Sequence, residues 1–256
     1  MLIDSHCHLD FPELAGNLDD ILARMRANQV THALCVSVNL EDFPKVLALA
    51  EAHDHLFASV GVHPDYPDVR EPSADELVRL AQHPKIVAIG ETGLDYYRLT
   101  GDLEWQRQRF RTHIRAAKHC AKPLIIHTRS AAEDTLRLMQ EEGAREVGGV
   151  MHCFTESWPV AEAALEMGFY ISFSGIVTFK NAKALKAVAQ KVPFERMLIE
   201  TDSPYLAPAP HRGKTNDPSL VKHVAEEIAR LRDCSYDHVA TLTTNNFNNL
   251  FNKIGH

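Results

Sequence analysis

Eight short runs rich in apolar and β-branched residues recur along the chain, and longer segments with helical periodicity separate them. The runs are Leu2–His6, His32–Val38, Leu56–Val62, Ile86–Glu91, Leu124–Thr128, Gly149–Cys153, Phe169–Ser174 and Met197–Thr201. Several are apolar throughout, as strands buried on both faces are. The intervening segments carry helix signals. Ser73-x-x-Glu76 and Ser130-x-x-Glu133 fit the capping box. Pro159 suits a first helical turn and Gly168 a helix end. Glu104–Ala121 places Phe110, Ile114 and Ala117 at helical spacing. Asp217-Pro218 opens a segment with Leu220, Val221, Val224, Ile228 and Leu231 on one face. Eight strands alternating with helices over 256 residues predict an α/β fold, the (β/α)8 TIM barrel, with an open doubly wound sheet as the rival. No linker interrupts the pattern, so residues 1–256 read as one domain, with extra helices from about Pro218 to Phe251 after the eighth strand.

Composition narrows the function classes. With 45% hydrophobic and 24% charged residues, the chain can build a full core. No apolar run approaches membrane-spanning length, and the N-terminus lacks the basic-then-apolar pattern of a secretory signal. The five cysteines, Cys7, Cys35, Cys120, Cys153 and Cys234, are odd in number and unpaired in spacing, which predicts a reducing cytoplasm. Strand alternation turns Cys7 and Cys153 away from His6, His8 and His152, so both read as buried small apolar residues. A formal charge of −7 argues against tight binding along a long stretch of nucleic acid. It leaves room for an enzyme that holds a few phosphates, because bound divalent metals reverse the charge locally.

In such a barrel the C-terminal strand ends build the active site. The first strand ends with His6-x-His8, two imidazoles on one face, with Asp4 one step behind as an orienting acid. The fourth ends with Glu91, the fifth with His127, the sixth with His152 and the eighth with Asp202. Each has an ordinary explanation when taken alone: a buried histidine, a turn residue, a cap. Four imidazoles and two carboxylates at five strand ends form a matched ligand set for Zn, Mn, Fe or Ni, with Mg less at home among histidines. Six ligands exceed one tetrahedral site but serve two metals if Glu91 bridges them. Nearby, His63 and Arg129 are candidates for substrate contact, and His63 also for proton transfer. Glu200 shares the face of Asp202 at a deeper level. Phe154 reads as core. His211, Arg212 and Lys214 form a basic patch beyond the eighth strand, with Arg212 a candidate for substrate.

The runs Asp4-Ser5-His6-Cys7-His8-Leu9-Asp10, Gly61-Val62-His63-Pro64, Gly90-Glu91-Thr92-Gly93-Leu94-Asp95-Tyr96-Tyr97, His127-Thr128-Arg129, His152-Cys153-Phe154-Thr155 and Glu200-Thr201-Asp202-Ser203-Pro204-Tyr205-Leu206 resemble the TatD family of metal-dependent hydrolases, in its bacterial YcfH-like branch. The resemblance covers nearly the whole chain in order. It implies an amidohydrolase-like barrel with two divalent metal ions (Zn, Mn, Mg, Ni or Fe). It implies His6, His8, Glu91 and Asp202 on one metal and Glu91, His127 and His152 on the other. It also implies a deoxyribonuclease acting at DNA ends, in some members from the 3′ end. The expected catalytic residues are then Asp202, Glu91 and His63, and the substrate-binding residues Arg129, His63 and Arg212. The expected partner is a short or end-bound DNA, with no membrane and no obligate protein partner. Two alternatives are a hydrolase of another bond (a cyclic amide or lactone, or a D-aminoacyl-tRNA ester) and a non-catalytic metal-binding scaffold. Lys85 lies at the start of the fourth strand rather than its end, which disfavours the lysine-bridged relatives on this barrel.

Overall fold

A computed structural model describes residues 1–251, so the last five of the expected 1–256 domain lie outside the described residues. Eight strands pair in parallel and in chain order: β1 (Leu2–Cys7), β2 (Val30–Cys35), β3 (Leu56–Val60), β4 (Ile86–Asp95), β5 (Leu124–Arg129), β6 (Gly149–Met151), β7 (Tyr170–Phe173) and β8 (Met197–Ile199). The helices are α1 (Pro12–Ala15), α2 (Leu18–Ala27), α3 (Phe43–Ala52), α4 (Ala74–Leu80), α5 (Glu104–Cys120), α6 (Ala132–Glu141), α7 (Trp158–Glu166) and α8 (Lys183–Lys191). Beyond β8 come α9 (Val221–Leu231) and α10 (Tyr236–Leu250). The sheet closes where Asp202 N donates to His6 O and His8 N to Ser203 O, both at 2.9 Å. An open doubly wound sheet has no such seam. The architecture is the (β/α)8 barrel.

Period-two alternation sorts each strand into an outward face under the helices and an inward face. At the N-terminal end the inward face is apolar: Ile3, Leu34, Phe57, Val87, Ile125, Val150, Tyr170 and Leu198 pack together with Phe247 of α10 and with Phe251. Each buried ring contributes about 1.5–3 kcal/mol over an exposed one, so α10 plugs that end. Higher on the same face the residues turn polar. Ile125 gives way to His127 and Arg129, and Leu198 to Glu200 and Asp202. The barrel is thus dry at one end and charged at the other.

The helix signals hold with one exception. Ser73 Oγ accepts Glu76 N, Pro159 sits in the first turn of α7, and Asp217 accepts Ser219 N. Ser130 does not cap. It takes a left-handed φ of 54° to turn the chain off β5, and α6 starts at Ala132 with no side-chain cap.

The pairing of β2, β3 and β8 stops two or three residues short of the expected runs, and the ends of β4 and β6 differ in ways that reshape the site. β4 runs on to Asp95, because Gly93 and Asp95 pair with His127 and Arg129 of β5 across a bulge between Ile89 and Thr92. The glycines there serve a close strand approach. A Cβ on Gly90 would fall 2.7 Å from the Ile125 carbonyl oxygen. β6 stops at Met151, so alternation no longer governs Cys153. Its φ is 42°, and its thiol sits 3.2 Å from Ser174 Oγ on the wall of the cavity, not buried in the outer core. Cys7 is buried as expected.

Candidate active site

The charged end of the barrel opens into a cavity of about 520 Å3 lined by His8, His63, Glu91, His127, His152 and Asp202, among others. Glu91 lies at its centre, 2% exposed, and its two oxygens face different neighbours. Oε2 is 3.2 Å from His6 Nε2. Oε1 is 2.8 Å from His152 Nε2, 3.3 Å from His127 Nδ1 and 3.2 Å from His63 Nε2. Asp202 closes the other side, its Oδ1 3.6 Å from both His6 Nε2 and His8 Nε2. The left-handed backbone at Asp202, φ 58°, belongs to the closing seam with β1.

The outward nitrogens fix which atom each ring offers inward. His8 Nδ1 donates to Val36 O at 2.9 Å, which leaves Nε2 as the inward acceptor. His152 Nδ1 donates to Glu200 Oε1 at 3.1 Å, again freeing Nε2. His127 is reversed: Nε2 donates to Asp95 Oδ2 at 3.0 Å and Nδ1 faces Glu91. His6 Nδ1 is buried with no hydrogen-bond partner among the described residues. His63 is the exception. Its Nδ1 accepts the backbone N–H of Asp65 at 3.0 Å, so the neutral ring carries its proton on Nε2, the inward atom. Distance alone groups His63 with Glu91 and His127, but its tautomer makes it a donor where neutral His8, His127 and His152 present lone pairs.

Without a cation among them these groups hold protons instead: burial opposes charge on His152, His127 and His8, but the surrounding carboxylates Glu91, Glu200, Asp95 and Asp202 raise all three. Burial pushes the Glu91 carboxyl up, but His152, His63 and His6 outweigh it and hold the group well below the usual carboxylate range. Burial likewise opposes Asp202, and the hydrogen bond from His8 with the charges of His152 and His6 pulls it down. Burial lowers His63 and keeps it neutral. Asp95 is pushed up by partial burial, yet His127 and the Arg98 and Tyr97 backbone bring it to about 2.

The His6 Nε2 and His8 Nε2 nitrogens lie 3.3 Å apart, a spacing that a shared proton or a cation held by both would satisfy. Three overlapping groups of three could hold an ion: His6, His8 and Glu91; His6, His152 and Asp202; His63, Glu91 and His127. The donors, imidazole and ionised carboxylate, suit a divalent transition metal. The residues therefore fit a metal centre.

All six sequence-predicted ligands converge. His152 stacks on His6, with ring centroids 3.9 Å apart, and stands 5.8 Å from His127, so it lies between the two expected sets. Asp4 does not touch the His6 ring. Its carboxylate accepts Thr201 N at 2.8 Å and His6 N at 3.3 Å, which ties β1 to β8 through backbone. Glu200 lies deeper than Asp202, as expected, and holds His152 and the Cys153 N–H. Phe154 is buried core. Arg129 lines the cavity. Arg212 does not: it is exposed and stacks on Phe179, 3.6 Å from the ring centroid. Arg98 occupies the wall instead, paired with Asp65 at 2.5 Å.

Asp95 and Arg98 escaped the sequence reading. Asp95 was findable, because it follows Glu91 and Gly93 at spacing two once β4 is allowed to continue. Nothing in the sequence pointed to Arg98.

A barrel with a histidine and carboxylate centre at its C-terminal mouth defines a metal-dependent hydrolase. The sequence profile of the family described as TatD related DNase matches residues 3–252, and the chain belongs to that family. It is 46% identical to the "Uncharacterized metal-dependent hydrolase YcfH" of Escherichia coli over 98% of this chain and 95% of that one. It is 32% identical to the "3'-5' ssDNA/RNA exonuclease TatD" of Edwardsiella piscicida, over 98% and 99%. The crystal structure of YjjV, a TatD homologue from Escherichia coli, superposes with a TM-score of 0.89 at 31% identity and 98% coverage of both chains.

Proposed function

We propose that this protein is a two-metal deoxyribonuclease that cleaves phosphodiester bonds at DNA ends, in the 3′-to-5′ sense. The observation that carries the reading is the divided Glu91 carboxylate, one oxygen toward His6 and the other toward His127 and His152. That arrangement suits a bridge between two ions. His6, His8 and Asp202 would complete one set and His127 and His152 the other. Bound divalent ions would lower the pKa of water and neutralise a phosphoryl oxygen. The chain's own groups supply the rest. Asp202, held ionised and 16% exposed in its side chain, accepts the proton of the attacking water. His63 presents Nε2–H and hydrogen-bonds the leaving oxygen, which takes the proton that Asp202 has accepted or one from solvent. Arg129 and Arg98 on the wall bind the phosphate. Arg212, facing away, is left out of the binding set.

The name of the Edwardsiella relative supports a nucleic-acid substrate. Lys85 counts against the lysine-bridged relatives: its Nζ donates to the carbonyls of His53, Asp54 and Leu56 at the dry end, away from the proposed metals. The free thiols of Cys7, Cys35, Cys153 and Cys234 support a cytoplasmic setting. Among the described residues no helix is long and apolar enough to cross a membrane. We take residues 1–256 to act as one catalytic unit.

The test is an assay of metal-reconstituted protein on oligonucleotides labelled at either end, single- and double-stranded, with Asp202→Asn beside it. Ordered loss of nucleotides from the 3′ end, reduced about 10²–10⁴-fold in the variant, is the expected result. Activity that survives Asp202→Asn in pure protein overturns the reading.

A further inference from the structure

Among the described residues, three large apolar side chains are exposed: Met1, Tyr97 and Tyr205. Tyr205, 53% exposed, lines the cavity, and Tyr97, 65% exposed, stands beside it against Arg129, which lines it too. They follow β4 and β8, staves on opposite sides of an eight-stranded barrel. Surface tyrosines are common singly. These two share a construction that a chance placement does not explain.

Each hangs from a residue of the site. Asp95 holds His127 with Oδ2 at 3.0 Å, while its Oδ1 accepts the backbone N–H of Tyr97 at 3.0 Å and of Arg98 at 3.1 Å. Tyr205 N donates to Asp202 O at 3.1 Å, and Tyr205 O accepts Asn216 Nδ2 at 2.7 Å. Each is also backed on one side. The Arg129 guanidinium lies 3.9 Å from the Tyr97 ring centroid. Phe11 meets Tyr205 edge-on at 6.3 Å and stacks on His8 at 4.6 Å, a ladder of rings from the centre to the rim. Both tyrosines are therefore fixed relative to the charged centre and keep ring surface toward solvent.

Electrostatics says what such surfaces are for. The chain carries a formal charge of −7, and only two arginines line the cavity among the described residues, one of them, Arg98, sharing its charge with Asp65. Phosphate contacts alone cannot supply much affinity for a nucleic acid here. Stacking can, at about 1–3 kcal/mol per base, and it does not depend on which base is offered.

We propose that Tyr97 and Tyr205 are nucleobase platforms on either side of the centre, gripping the two nucleosides that flank the scissile phosphate without reading their identity. This rests on the nuclease reading above and adds to it the residues that hold the bases.

The experiment compares metal-reconstituted wild type, Tyr97→Ala, Tyr205→Ala and the double variant. The substrates are single-stranded oligonucleotides with intact ends, or with a tetrahydrofuran abasic residue at the last or the penultimate position. Each single variant should raise KM for the intact end about tenfold, with a smaller effect on kcat. Each should lose its effect when the base is missing at one of the two positions, and the positions should differ between the variants. Ends built from each of the four bases should be cleaved within about threefold of one another, the sequence tolerance expected of stacking. A KM unchanged in both variants, equal losses on intact and abasic ends, or a strong preference for one base overturns the proposal while leaving the nuclease intact. No hydrolysis of any oligonucleotide overturns the nuclease reading instead. A 2-aminopurine at the end of the strand gives a readout without turnover. Its fluorescence should be quenched by Asp202→Asn protein and restored when both tyrosines are replaced. Absence of quenching counts against the platforms.

Discussion

The two halves of the metal centre are built from the same residue types and held in different ways. On the β1 side, His8 is fixed by a backbone carbonyl, Val36 O, and His6 Nδ1 has no hydrogen-bond partner among the described residues. On the β5 and β6 side, His127 and His152 are each held by a carboxylate, Asp95 and Glu200. A carboxylate behind an imidazole fixes its tautomer and raises its basicity; a neutral carbonyl does the first and little of the second. The β5 and β6 half should therefore grip an ion more tightly than the β1 half, with Glu91 common to both. For the proposed pair of ions, these hydrogen bonds predict one firm and one exchangeable.

The largest effect should come from removing what the halves share. Glu91→Gln takes away the carboxylate's charge and the partner of four imidazoles, His6, His63, His127 and His152. Metal content should fall at both sites together, and turnover should drop by about 10³-fold or more, equivalent to the several kcal/mol a metal clamp supplies. Elemental analysis after gel filtration, set beside kcat, checks it. If one equivalent of metal stays bound, Glu91 is not the link and the halves are independent.

The frame around the centre was more legible than the centre's fine structure. All eight strands and the barrel follow from periodicity, because a strand buried on both faces must be apolar and the interruptions must be helix. The six convergent residues follow from their places at strand ends. What the sequence hid were departures from regular alternation. The bulge at Gly90 and Glu91 lengthened β4 and brought Asp95 into line with His127. The early end of β6 swung Cys153 into the cavity. Ser130 reads like Ser73 but is used for a turn, since the backbone there must go left-handed. Arg212 failed for a different reason: a basic loop residue has no periodicity to say which way it faces, and Phe179 was there to receive it.

A second prediction separates the frame from the charges. The end of β3, which carries His63, leans on α5. His113 Nε2 accepts Val62 N at 3.0 Å, its Nδ1 donates to Arg109 O at 2.8 Å, and Arg109 donates to His63 O at 2.8 Å. Burial pushes His113 down to about 4, so the folded state binds its proton less readily than the unfolded chain does. Stability from this group is intact above about pH 6.5 and falls as pH drops toward 4, by about 3 kcal/mol in all. Below about pH 4 the contribution is flat. His113→Gln, which keeps a donor and an acceptor, should flatten the slope between those limits in urea unfolding. An unchanged slope would place the acid sensitivity elsewhere.

The smallest effect is the sharpest test of the contrast between halves. Asp95→Asn and Glu200→Gln leave every metal-facing atom in place but weaken the imidazoles behind them. Each should lower affinity for the firm ion about 10–100-fold while hardly changing the exchangeable one. Titrating wild type with a chelator should release metal in two steps, the β1 half first. In Asp95→Asn the second step should move toward the first, because His127 then has only a neutral oxygen behind it, as His8 does. Such a merger would show that carboxylate support, not ligand identity, makes the halves differ. Two steps that stay apart in both variants would mean the asymmetry lies in Glu91 itself, whose Oε1 meets three imidazoles and Oε2 only one.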